Sequence, residues 1–193
     1  LGLLDAMEAP VDEETATSLL AGVVGDTRGF RTSNVTVQLM ETAARLMKEG
    51  APLARIAYNS LDRRDLPALR LWGAALSQIR IEDGLVWAVI PMDLRRAAGF
   101  DEPGDAGLAG LLVSAEEADV AAVLAEEEDG SVEVSLRASP GFDVAKVATR
   151  FGGGGHALAA GCHLPGPLED AEREIASALR SAAAGGEELP NRA

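Results

Sequence analysis

Phe151-Gly152-Gly153-Gly154-Gly155-His156-Ala157-Leu158-Ala159-Ala160-Gly161 is the stretch on which the reading of this chain turns. Four consecutive glycines lose more backbone freedom on folding than any other four residues. A plain linker mixes in serine and does not run straight into an alanine-rich segment. Here an aromatic residue precedes the run, a histidine follows it, and residues 156–160 are predicted to open a helix. Backbone N–H groups without side chains can converge on an anion at a helix start, and His156 stands where it can donate to the same anion. A hinge with a stray histidine stays open on the pattern alone, because glycine-rich signals are individually weak. The run is not a Walker loop, since no Lys-Ser/Thr follows it.

Outward from the glycines the chain reads as strands. Val132, Val134 and Leu136 alternate with Glu133, Ser135 and Arg137, so a strand over 132–138 carries an apolar and a polar face. Arg137 lies on the polar face; a planar guanidinium suits phosphate, although most arginines are simply solvated. Val120, Ala122 and Leu124 precede it, and Asp129-Gly130 supplies the turn of a hairpin. Asp83-Gly84 marks another hairpin within 79–90. Short helices are predicted over 92–98 and 107–113. Leu168, Ala171, Ile175, Ala178 and Leu179 give a closing amphipathic helix.

Farther upstream the period becomes helical. Asp12 can cap a helix that has Glu13 and Glu14 in its first turn and Ala16, Leu19, Leu20 and Val23 on one face. That helix is expected to end within 22–25. A second is predicted from about Asn34, with Val37, Met40, Ala44 and Met47 as its apolar stripe and Gly50-Ala51-Pro52 as its stop. More helix follows over 53–78, and charged residues 55–65 suit a linker.

Formal net charge is −14, from 17 Lys+Arg and 31 Asp+Glu. Such a surface repels long polyanions and lacks the basic stripe of a duplex binder, yet a small pocket can still be locally positive. No apolar run is long enough to span a bilayer, and the start has no signal-peptide pattern. One cysteine, Cys162, makes no internal disulfide, which suits a cytoplasmic protein. Leu1 stands where Met is expected, so the chain reads as a fragment. Cys162 with His156 and His163 matches no common zinc spacing, and Cys162 is expected to be packed.

The stretch Gly152-Gly-Gly-Gly-His156-Ala-Leu-Ala-Ala-Gly161 resembles the signature of the DHH-associated domain, which follows the catalytic domain in DHH phosphoesterases. Residues 142–151, Phe-Asp-Val-Ala-Lys-Val-Ala-Thr-Arg-Phe, are similar to the helix that leads into that family's glycines. The resemblance implies an α/β (α+β) fold in four parts. A helical remnant of the DHH catalytic domain is expected over 1–62 and a linker helix over 63–78. A mixed-sheet DHH-associated domain then occupies 79–184, and 185–193 is a disordered tail. Carried over residue by residue, it makes Gly153, Gly154, Gly155 and His156 contacts to a substrate's phosphate and sugar. Ser135-Leu-Arg137-Ala-Ser139 resembles the strand whose Arg grips phosphate.

Gly22-Val-Val-Gly-Asp26-Thr-Arg-Gly-Phe-Arg31 resembles the last motif of the DHH catalytic domain, which implies that Asp26 ligates a divalent metal, usually Mn²⁺. Arg28, Arg31, Ser33 and Asn34 lie close by in sequence. Read locally, Asp26 is only a helix-terminating residue in a turn. The sequence contains no Asp-His-His and only two histidines, His156 and His163. One carboxylate cannot make a two-metal site. The chain as given is therefore expected to bind substrate weakly and to hydrolyse almost nothing.

The implied function is a Mn²⁺-dependent phosphoesterase that degrades very short single-stranded RNA and acts on small nucleotides such as adenosine 3′,5′-bisphosphate (pAp). A cyclic dinucleotide phosphodiesterase is an alternative, because the same grip serves that ligand. A non-catalytic tRNA-binding module, as at the end of alanyl-tRNA synthetases, is another, against which the Asp26 motif argues. No membrane partner is expected, and a homodimer is left open.

Overall fold

The computed structural model describes residues 2, 6–7, 9–32 and 34–184. Ser33 and the tail expected at 185–193 lie outside the described residues. Its contacts divide the chain into two compact units, Leu1–Arg64 and Asp65–Ala193.

The first unit is helical. Helix α1, Glu13–Asp26, starts where Asp12 accepts from the Thr15 N–H at 2.8 Å, a bond that holds the Asp12 carboxyl below its usual range. It buries Ala16, Leu20 and Val24, four residues apart on one face, and runs slightly past the expected stop at 22–25. Helix α2, Val37–Lys48, begins later than expected, at the Thr36 cap. Its expected apolar stripe is not the buried one. Ala43 and Leu46 face the core, while Val37, Met40 and Met47 are 70%, 47% and 46% exposed and Ala44 is exposed too. The helix has apolar residues on adjacent stripes, so periodicity leaves its rotation about its axis undecided. The small Ala43 and the long Leu46 are what meet Ala16, Leu20 and Val24 in this core. Helix α3, Leu53–Ala57, adds Ile56 to that core and passes into a π-helical turn, Tyr58–Asp62.

The second unit is a six-stranded mixed sheet, ordered β1-β2-β3-β4-β6-β5, with helices on both faces. Helix α4, Leu66–Leu76, capped by Asp65, packs Ala68, Leu71 and Ala75 here; the segment expected to link domains is part of this core. Strands β1, Arg80–Glu82, and β2, Leu85–Ile90, form the first hairpin, with Asp83 and Gly84 both at positive φ as a primed turn requires. β2 then pairs in parallel with β3, Val120–Glu126, which needs a crossover. Helices α5, Met92–Ala98, and α6, Leu108–Leu112, supply it. Strand β4, Ser131–Ala138, completes the second hairpin through Gly130 at φ 81°.

Helix α7, Val144–Arg150, precedes the glycines. The helix expected to begin at His156 does not exist. Gly154–His156 is strand β5, and it turns back through Ala157 and Leu158 into β6, Ala159–Pro165. The reason lies in alternation: Ala160, Cys162 and Leu164 are buried against Val134, Leu136 and α7, which a helix over the same residues would scatter round its axis. Helix α8, Leu168–Ala184, then lies on the same face, and Glu172 from it accepts from Trp87 Nε1–H at 2.7 Å and pairs with Arg80.

The two faces of the sheet are unequally covered. Helices α7 and α8 pack beneath β2, β3, β4 and β6, whereas α4, α5 and α6 cover the opposite face mainly over β2 and β3. That opposite face is only half clothed, and its bare part belongs to β4, β6 and β5.

Candidate substrate-binding face

Register fixes which side chains share the bare face. Arg137 pairs with Ala159, and Ala159 pairs with His156, so the three form one row across β4, β6 and β5. Directly paired residues point to the same side, and two interstrand steps of about 4.8 Å put the Arg137 and His156 backbones about 10 Å apart. The next row is Ser135, Gly161 and Gly154. Ala159 and Gly161 leave the floor between these groups low. Arg137 is half-buried and has no ion pair among the described residues; its guanidinium donates to its own strand at the Leu136 carbonyl, 2.8 Å away. His156 is exposed and has no hydrogen-bond partner among the described residues. A hollow of about 250 Å³ opens beside Ser135 and Gly161, with Gly152 and Gly153 as its side wall.

The four glycines do different jobs. Gly152 takes φ 74° as the residue after the end of α7, and the Gly152 and Gly153 N–H groups donate to the Thr149 and Ala148 carbonyls at 3.1 and 2.9 Å. This is a complete Schellman closure, so two of the N–H groups expected to meet an anion are already engaged. A Cβ on Gly153 would run into the Gly161 carbonyl and Cys162. On Gly155, at φ 143°, a Cβ would come within 2.5 Å of the Ala159 carbonyl and Ala160. Gly154 alone has an ordinary φ and open space where a Cβ would stand. It is the one glycine of the four that neither packing nor backbone conformation demands. Because no helix starts at His156, the helix-dipole contribution expected there is absent.

Sequence reading missed Ser135 and the Glu133–His163 pair that continues the face. The period-two pattern of β4 was the signal, but the third strand it needed had been read as a helix. Cys162 sits on the opposite, helix-covered side; burial pushes its thiol up to about 11, so it is protonated at neutral pH. Among the described residues no three His, Cys, Asp or Glu side chains gather as a metal group.

In the first unit, Asp26 is the exposed last residue of α1. After it the chain makes a second Schellman closure, Arg28 N–H to Gly25 and Gly29 N–H to Val24, followed by Arg28, Gly29 and Phe30 at φ 48°, 73° and 64°. Buried Thr27 holds this loop, donating to the Val23 carbonyl at 2.6 Å and accepting from the Phe30 N–H at 3.0 Å. Positive φ at Arg and Phe is costly, which is common where a loop presents functional groups. Asp26 offers one hard oxygen donor set. By itself it does not fit a two-metal centre.

Comparison with known proteins bears on both segments. Residues 97–185 match the DHHA1 domain model. The chain is 35% identical, over 181 residues, to the bifunctional oligoribonuclease and PAP phosphatase NrnA of Thermus thermophilus, covering 92% of this chain and 54% of NrnA. Among solved structures, an exopolyphosphatase-related protein from Bacteroides fragilis matches with a TM-score of 0.80 at 22% identity, over 88% of this chain and 51% of that one. The chain thus spans about half the length of the relatives it matches. No described helix is long and apolar enough to cross a membrane.

Proposed function

We propose that the bare half of the sheet in this chain, whose residues 97–185 match the DHHA1 domain model, grips the phosphate of a short single-stranded RNA or small nucleotide on behalf of a DHH-type phosphoesterase. The observation that carries this reading is the row Arg137–Ala159–His156, which sets a cation with no ion pair among the described residues and an exposed imidazole on either side of a small residue. In an acidic protein an arginine with no carboxylate partner among the described residues is available to an external anion. A charge-assisted bond from it contributes about 1.5–3 kcal/mol. His156 adds a neutral or charged N–H donor, and the side-chain-free Gly154 and Gly161 let the sugar-phosphate approach the backbone. Likeness to NrnA, which is an oligoribonuclease and PAP phosphatase, supports short RNA and pAp as the ligands. Asp26 is proposed as one ligand of a divalent metal, Mn²⁺; among the described residues no three His, Cys, Asp or Glu side chains gather as a metal group.

Binding of pAp and of a 5′-phosphorylated dinucleotide to this chain, followed by calorimetry, tests the proposal. Arg137→Ala should weaken both by about ten- to a hundredfold, following from that bond energy at 1.4 kcal/mol per decade. His156→Ala should weaken them less. Equal affinity for wild type and both variants would discard the grip.

A further inference from the structure

The bare face does not end at the glycine-walled hollow. The next row along β4 and β6 is Glu133 opposite His163, and these two residues also border a second hollow of about 570 Å³. Its floor is the start of β4 and the end of β6. Its wall is α5 with the segment that follows it, and its far end is the turn between β3 and β4. The volume is that of a small-molecule site, commonly about 300–1,000 Å³.

We propose that this second hollow seats a nucleobase with amino N–H donors, joined to the phosphate held between Arg137 and His156; the inference rests on the reading of that row as a phosphate grip. Continuity is the first argument. Arg137 and Glu133 are four residues apart on one face of one strand, about 13 Å at about 3.3 Å per residue, and the row between holds Ser135, Gly161 and Gly154.

Charge is the second. Asp101, Glu127, Glu128, Asp129 and Glu133 face Arg95 and Arg96 around the hollow. A second phosphate is repelled there. Asp101, Glu128 and Glu133 make no hydrogen bond or ion pair among the described residues, so their oxygens are open acceptors. Asp129 is held ionised by its bonds with Ser131.

The third argument is a built wall with a donor to spare. Arg95 is only 4% exposed, and it pins the segment after α5 by donating to the Glu102 and Gly104 carbonyls at 2.8 and 3.0 Å and to Glu127 at 3.1 Å. Its buried Nε nevertheless has no hydrogen-bond partner among the described residues. Arg96 beside it is exposed and unpaired among the described residues. Acceptor carboxylates next to guanidinium donors match a base edge that offers an amino group beside a ring nitrogen, as adenine does. Uracil presents carbonyl oxygens to either side of a single N–H and would set them against the carboxylates.

The test is equilibrium binding of AMP, UMP and the 5′-phosphorylated dinucleotides pApA and pUpU to the 193-residue chain. AMP and UMP should bind alike, because the seat lies about 13 Å from the phosphate grip along the strand and takes the base of the second nucleotide, and pApA should bind about tenfold more tightly than pUpU. Asp101→Ala with Glu128→Ala, both at exposed positions, should bring pApA to the pUpU level, and Arg96→Ala should do so in part. If both mononucleotides bind in an Arg137-dependent manner but pApA and pUpU bind equally, the base seat is overturned and the phosphate grip stands. If no mononucleotide binds, the grip itself has failed, and the base seat with it.

Discussion

Among the four glycines only Gly154 is free of a packing or conformational demand, and that separates binding from folding at single residues. Gly153→Ala forces a methyl against the Gly161 carbonyl, and Gly155→Ala combines a close approach to Ala159 and Ala160 with a φ of 143°. Each should lower the melting temperature of the second unit, because the neighbours are backbone and Cβ atoms that cannot step aside. Gly154→Ala has open space and should melt like the wild type. Gly154→Val should keep the fold yet lose affinity for pAp, since its side chain would stand beside Gly161 on the bare face. Thermal melts beside calorimetry read the two effects apart. Tight pAp binding by Gly154→Val would show that the ligand does not lie over this row. The sequence showed that these glycines matter but not which did what: an identical residue at four positions carries no record of φ or of its neighbours. Arg137 was legible because strand alternation names its face. Asp26 was legible only through its surrounding motif, since a lone carboxylate at a helix end is ordinary.

Elements were readable where a turn had its own chemistry. Asp83-Gly84 and Asp129-Gly130 both close hairpins, with positive φ where glycine or aspartate tolerates it. The Ala157-Leu158 turn between β5 and β6 has no such residues, and its alanine-rich flanks favour helix by intrinsic propensity; burial of Ala160, Cys162 and Leu164 overrides that preference. The parallel pairing of β2 with β3 was likewise hidden, because Leu85–Ile90 is apolar on both faces and shows no period. The end of α1 offers an element-scale prediction. Its Schellman closure puts Arg28 at φ 48°, where glycine is the favoured residue. A left-handed conformation costs a non-glycine residue about 1–2 kcal/mol. Arg28→Gly should therefore raise the urea midpoint of the first unit. A lowered midpoint would mean that the Arg28 side chain makes a contact worth more than the strain it imposes.

At the scale of the whole molecule the question is how a protein of net charge −14 holds a polyanion at all. The described cations at the site are few: Arg137, and His156 when protonated. A strand-binding protein with a basic track gains affinity with every added phosphate. Its binding constant also falls steeply with salt, with a log–log slope of about −0.7 for each phosphate neutralised on a single strand. Here one or two phosphates meet a cation, so the slope should be shallow, about −1.4 at most by the same rule. Each further phosphate meets the acidic surface, whose repulsion salt screens over about 10 Å at 0.1 M. The two effects oppose each other, which flattens the dependence further for longer strands. We therefore expect a single-stranded RNA of about ten nucleotides to bind this chain no more tightly than a dinucleotide at low salt. Raising salt should shrink any disadvantage of the longer strand. Titrations of both lengths across a salt series measure this directly. A steep slope for the ten-nucleotide strand, on the order of −4, together with tighter binding than the dinucleotide, would require a track of cations that the bare face does not contain. The proposed preference for short substrates would then have to come from somewhere other than charge.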